Sequence, residues 1–141
     1  MKITIEIEVN SSISKVWNAW VTPYDITYWN FASDDWCCPV AQVDLQVGQK
    51  FNYRMEAKDG SMGFDFEGEF TQIELHHLII YKLADEREVS VEFVQTDDGV
   101  KVIESFEAED ENSAELQRQG WFSILTNFKK HVENSTKQRG A

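Results

Sequence analysis

The chain has 141 residues, is 42% hydrophobic and carries 5 Trp, 9 Phe and 4 Tyr, which is too apolar for disorder and enough to bury a substantial core as one domain spanning 1–141. Its formal net charge of −12 opposes phosphate backbones and anionic head groups, so nucleic acid is not an expected partner. No apolar run approaches the length that crosses a bilayer, and no membrane insertion is expected.

In chain order, Ile3, Ile5, Ile7 and Val9 alternate with Thr4, Glu6 and Glu8, the period of a strand with one wet face. This alternation replaces the unbroken apolar segment of a signal peptide, and a cytoplasmic location is expected. Ser12 is placed to cap a helix over about 13–21, with Ile13, Val16, Trp17 and Trp20 on one face. Thr22 then caps a short helix with Pro23 at its first position, running to about Trp29.

Asn30 to Ala41 lacks a period and is expected as loop, with Phe31 and Trp36 tucked onto the core. Val43 to Val47 is expected as a short strand. Phe51, Tyr53, Met55 and Ala57 alternate in the next strand, Asp59-Gly60 turns it, and Phe64, Phe66, Gly68 and Phe70 share one face of the strand that returns. Ile73 to His77 ends that strand in a turn, and Leu78 to Leu83 forms another whose inward phase the pattern leaves open. Asp85-Glu86 leads into Val89, Val91 and Phe93, and Asp97-Asp98-Gly99 into Val100, Val102, Glu104, Phe106 and Ala108.

The last element is the longest. Asn112 to Glu133 is predicted as an amphipathic helix capped by Asn112 with Glu115 three residues on, and a frayed tail follows over 135–141. Ala114, Gln117, Trp121, Ile124, Leu125, Phe128 and Val132 form its apolar stripe, while Lys129, Lys130 and Glu133 point away. Gly120 inside the helix costs roughly 1 kcal/mol relative to alanine, so a close approach of backbone to strand or ligand is expected there. One strand, two short helices, about six antiparallel strands and a long helix make an α+β chain: a curved sheet closed by one helix.

Ser12 to Trp29, the Asp44-to-Gly48 turn leading into Phe51, Gly68-Glu69-Phe70, His77-Leu78 and Gly120-Trp121, in this order, resemble the activator of heat-shock-protein-ninety ATPase homologue family. The resemblance covers almost the whole chain. It implies the helix-grip fold of the START-like, birch-pollen-allergen-like superfamily, in which a curved sheet wraps a long C-terminal helix around a hydrophobic cavity. Members of that superfamily bind lipids, sterols, hormones or polyketides, and a few are cyclases or hydroxylase components. A chaperone partner and a link to stress response are implied by the family name.

Projected into that fold, Phe51, Tyr53, Phe64, Phe66, Phe93 and Phe106 line the sheet, with Trp121 opposite and Trp29 near one end. Each alone could simply fill the core. Their number argues for space between stiff rings, and a large empty cavity would be costly to keep. Glu104 shares strand phase with Val102 and Phe106, so it is expected to be paired, protonated, ligand-facing or returned to solvent by a bulge. Gln117 on the helix stripe either orients a ligand or bonds a loop.

His76-His77 points to opposite strand faces and has no third ligand at a recognisable spacing, so no metal is expected. His131 is expected on the surface. Cys37-Cys38 are adjacent, offer no disulfide framework and fit small apolar packing. No triad, phosphate loop or paired-carboxylate signature occurs, and neither cofactor nor catalytic residue is expected. The leading expectation is therefore a cavity for an apolar or amphipathic small molecule. The alternatives are a co-chaperone or interaction module, and a cyclase-like enzyme with Glu104 as base.

Overall fold

The computed structural model describes the backbone of residues 1–140 and side chains through Ser135. Its elements run β1 (Lys2–Val9), α1 (Ile13–Val21), α2 (Pro23–Trp29), β2 (Trp36–Val43), β3 (Lys50–Ala57), β4 (Gly63–Glu74), β5 (Leu78–Leu83), β6 (Glu88–Thr96), β7 (Gly99–Glu107) and α3 (Ala114–Gly140). The strands form one antiparallel sheet in the order β1-β7-β6-β5-β4-β3-β2, and the curled sheet holds α3 across its concave face. This is the α+β helix-grip arrangement that the resemblance implied. Among the described residues no helix is long and apolar enough to cross a membrane.

Alternation decides which side chains enter. Ile3, Ile5 and Val9 of β1, Val100, Val102 and Phe106 of β7, and Val89, Val91 and Phe93 of β6 are buried. The inward phase of β5, open in the pattern, is set by Ile79, Tyr81 and Leu83. Against this face, α3 buries Leu125, Phe128 and Val132. Trp17 and Trp20 of α1 pack on Phe93 with ring centroids 5.2 and 6.1 Å away.

Several local expectations are corrected. Trp36–Val43, expected mostly as loop, is edge strand β2, and of the strand expected over Val43 to Val47 only Val43 is paired. The pairing register shifts between Cys37 and Val40, and Pro39 removes a ladder donor between them, which hides the period while leaving an edge strand possible. The following loop is tied instead to β4, by Gly48 N–H to Phe70 C=O at 2.8 Å and Phe70 N–H to Gln49 C=O at 2.9 Å.

Ser12 caps α1 as expected, accepting from Lys15 N at 3.3 Å, but Thr22 makes no side-chain cap bond to α2. The cap of α3 is Ser113, whose hydroxyl accepts from Leu116 N at 3.1 Å. Asn112 lies outside the helix, and Glu115 Oε1 accepts from Gln119 rather than closing a capping box.

The flank of α3 is also less solvated than its charges suggested. Lys129 Nζ donates to Glu8 C=O at 2.6 Å and to Glu133 at 2.8 Å, and Glu133 accepts from Asn10 N–H at 2.9 Å, so Lys129 and Glu133 clasp the end of β1. His131, expected on the surface, is half-buried, with Nε2 at 2.8 Å from Asp25 Oδ1 and its ring stacked on Tyr28. The helix extends to Gly140. Side chains from Thr136 onward lie outside the described residues, and with them the expected frayed tail.

Candidate functional site

The inward stripes do not fill the space they enclose. A cavity of about 210 Å3 remains between the middle of the concave sheet and the three helices. β3 contributes Tyr53 and Met55 to its wall, β4 Phe64 and Phe66, β5 Tyr81, and β7 Glu104. Trp20 comes from α1, Trp29 and Asn30 from the end of α2, and Trp121 and Ile124 from α3. Phe64, 49% exposed, stands at the mouth.

The walls are held by ring packing. Trp20, Trp29 and Phe128 meet with centroids 4.8 to 5.0 Å apart, and Trp29 Nε1 donates to Ala19 C=O at 3.0 Å, which fixes the floor. Trp121 lies flat on Phe106 at 4.1 Å and meets the edge of Phe66 at 6.3 Å. Such stacking spends the flexible rotamers of both rings and leaves the opposite face of Trp121 to the cavity.

Glu104 is the chemically unusual wall residue. It is 5% exposed and sits in register with Ile5 on one side and Val91 on the other, so its neighbours across the strands are apolar. No hydrogen bond or ion pair joins its carboxyl to another described residue. Burial therefore raises its pKa from 4.5 to about 8. The Tyr53 and Tyr81 hydroxyls, also pushed well up by burial, remain neutral beside it.

Of the ten residues singled out from the sequence, Trp29, Tyr53, Phe64, Phe66, Glu104 and Trp121 come together at this cavity. The other four do not line it. Phe51 packs under Tyr53, Phe70 and Tyr81; Phe93 packs against Trp17 and Trp20; and Phe106 backs Trp121. Gln117 is buried, but its amide binds a loop: Oε1 accepts from Glu109 N–H at 2.9 Å, while Nε2 donates to Glu109 and Asn112 carbonyls at 3.1 and 2.8 Å.

Sequence reasoning missed Trp20, Asn30, Met55, Tyr81 and Ile124. Met55 shared the phase of Tyr53 and Trp20 the stripe of α1, so a signal existed for both; Tyr81 needed the phase of β5, and Asn30 the path of the chain after α2. Gly120 corrects another expectation. A Cβ built there meets nothing within 4 Å, so no close approach explains this glycine.

Other features carry less chemistry. His76 sits in the left-handed region at φ 65° with its ring edge to Trp17, and among the described residues no group of three metal-ligating side chains occurs. Cys37 and Cys38 are free thiols, and burial pushes Cys38 up to about 11. A larger depression of about 970 Å3 lies over the outer side of β5 and β6, bordered by exposed Lys2, Glu74 and Glu92. Phe93 is the one Phe, Tyr or Trp among its described lining residues, so it lacks the aromatic enclosure of the inner cavity.

This geometry can be set beside known proteins. The sequence profile of the family described as "Activator of Hsp90 ATPase homolog 1-like protein" matches residues 10–133. The solution structure of an AHSA1-like protein from Aeromonas hydrophila is 44% identical, covers 96% of this chain and 94% of its own, and superposes with a TM-score of 0.91. A solution structure from Cytophaga hutchinsonii is likewise 44% identical over 96% and 94%, with a TM-score of 0.82. A crystal structure from Nitrosomonas europaea shares the fold alone, at 16% identity and a TM-score of 0.82 over 96% of each chain. No curated protein matches the chain. With the profile spanning most of the sequence and the helix-grip arrangement present in full, the chain belongs to the activator of Hsp90 ATPase homolog 1-like family, within the START-like superfamily.

Proposed function

We propose that the inner cavity binds one small apolar or amphipathic molecule and that binding, without chemistry on the ligand, is its task. The START-like fold is a ligand-binding kind of domain. The observation that carries the finer reading is the cavity of about 210 Å3, enclosed by aromatic rings and holding polar groups from Glu104, Tyr53 and Tyr81. Left empty, a void of that size costs on the order of 5 kcal/mol, a large part of a typical net stability. Apolar walls with a few placed polar groups are the usual composition of a small-molecule site.

Glu104 fits a hydrogen-bonding role better than that of a base. With its pKa at about 8 it is mostly protonated at neutral pH until a ligand or a rise in pH removes the proton. A cytoplasmic location fits the two free thiols of Cys37 and Cys38.

The reading is tested with neopentylbenzene, a neutral ring with a short branch. Saturable one-to-one binding is expected by calorimetry, with a change in tryptophan emission from Trp20, Trp29 and Trp121. Ile124→Trp, which plugs the cavity from α3, should abolish binding while the far-ultraviolet circular dichroism is retained. Absence of binding to the unmodified protein, or full retention in the plugged and folded variant, overturns the reading.

A further inference from the structure

Resting on the reading that the inner cavity holds a small molecule, we propose that its occupant is a small organic cation, an aryl or alkyl ammonium whose charge pairs with Glu104 and whose methyl or methylene groups lie on the aromatic walls.

Four observations converge on this class. First, among the described residues that line the cavity Glu104 is the only carboxyl, and none is Lys, Arg or His. The carboxyl has apolar Ile5 and Val91 across the adjacent strands and no hydrogen bond among the described residues, so the site lacks a counter-charge that a ligand can bring. Second, seven of the eleven wall residues are aromatic. The faces of Trp and Tyr attract cations, more strongly where water is excluded, and the same rings give an anion no such attraction. Third, the formal net charge of −12 raises the local concentration of cations and repels anions before they arrive. Fourth, a dry cavity of about 150 Å3 accommodates benzene. One of about 210 Å3 accommodates a ring with a short branch and is too small for a sterol or a two-chain lipid.

Fatty acids and phospholipid head groups are selected against on the same grounds. Each would place a negative charge against Glu104 with no basic side chain on the wall to compensate.

Binding is coupled to a proton. The groups facing Glu104 are Tyr53 from β3 and Tyr81 from β5, which stay neutral, while α1, α2 and α3 present Trp20, Trp29, Asn30, Trp121 and Ile124, none of which titrates. A cation pairs with the carboxylate form, so it displaces the proton that burial retains on Glu104 up to about pH 8. Affinity for a permanent cation therefore rises with pH, by on the order of 20-fold between about pH 6.5 and 8.5.

The test compares benzyltrimethylammonium, its uncharged isostere neopentylbenzene and the anion phenylacetate by isothermal titration calorimetry, on the full chain and on Glu104→Gln. Near pH 8.5 the cation should bind about tenfold or more tighter than the isostere, and phenylacetate should not bind. The cation's advantage should shrink toward pH 6.5 and vanish in Glu104→Gln, while the isostere binds the variant as before. Should the variant fail to fold, the pH series on the unmodified chain decides. Equal or tighter binding of the isostere near pH 8.5, pH-independent binding of the cation, or binding of phenylacetate each overturns the cation assignment; if the isostere still binds, the cavity reading stands without it. If the isostere does not bind the unmodified chain, the cavity reading falls and this inference with it.

Discussion

The two halves of α3 face the same sheet and meet different surroundings. From Leu125 to Val132 the inward positions are Leu125, Phe128 and Val132, all buried, and Phe128 packs on Trp20 and Trp29 at 4.8 and 5.0 Å. From Ala114 to Ile124 only Gln117 reaches the same burial, and it is bound to the loop before the helix. Trp121 and Ile124 are half-buried and border the cavity. The difference shows that the cavity is not opened by polar residues on the helix. It is opened by stiff rings that cannot close ranks, around one carboxyl supplied by the sheet.

The largest effect that could break this comparison belongs to that carboxyl. Glu104 has a folded pKa of about 8 against 4.5 for the ordinary group. The folded state thus holds the proton more tightly than the unfolded chain, so the contribution of this group is full below about pH 4.5, falls as pH rises, and levels off above about 8. Expressed in full, the loss is roughly 5 kcal/mol across that window. Urea denaturation in steps of pH should show the ligand-free protein losing stability relative to Glu104→Gln over this range; parallel profiles would mean that the carboxyl is solvated or paired.

The next effect separates the halves directly. Phe128→Ala should cost about 3–5 kcal/mol, because a buried ring leaves a cavity among neighbours that cannot collapse. Ile124→Ala, which only enlarges an existing void, should cost under about 1.5 kcal/mol in the same denaturation series. Equal costs would show the two halves to be equally packed.

Most of the fold was legible because its signals are local. The alternation of β1, β3, β4, β6 and β7 and the turns at Asp59-Gly60 and Asp97-Asp98-Gly99 need only neighbouring residues; projected into the fold the resemblance implied, with Trp29 of α2 and Trp121 of α3, they placed six of the eleven wall residues in the cavity. What was not legible depends on partners distant in sequence. Edge strand β2 is defined by pairing with β3 through a register shift around Pro39, and the phase of β5 by its register with β4 and β6. Gln117 had two readings that only the path of residues 109–112 could separate. Phe51, Phe93 and Phe106 point inward as expected, yet each is covered by another ring before it reaches the void.

Two smaller effects sharpen the picture of the open half. Ser113→Ala should destabilise by about 1 kcal/mol through loss of the bond to Leu116 N–H, and Asn112→Ala by clearly less, which thermal denaturation can resolve. Gly120→Ala should stabilise by about 0.5–1 kcal/mol, since the added methyl meets nothing within 4 Å. A loss of stability there would reveal crowding on this half of the helix.

The central claim is that small-molecule binding occurs beside Trp121 and Ile124, within the helix grip. Intermolecular nuclear Overhauser effects between neopentylbenzene and the isotope-labelled protein test it most directly. Contacts to the Ile124 methyls and the Trp29 and Trp121 rings are predicted; contacts confined to the outer face of β5 and β6, or none at saturating probe, would contradict the account.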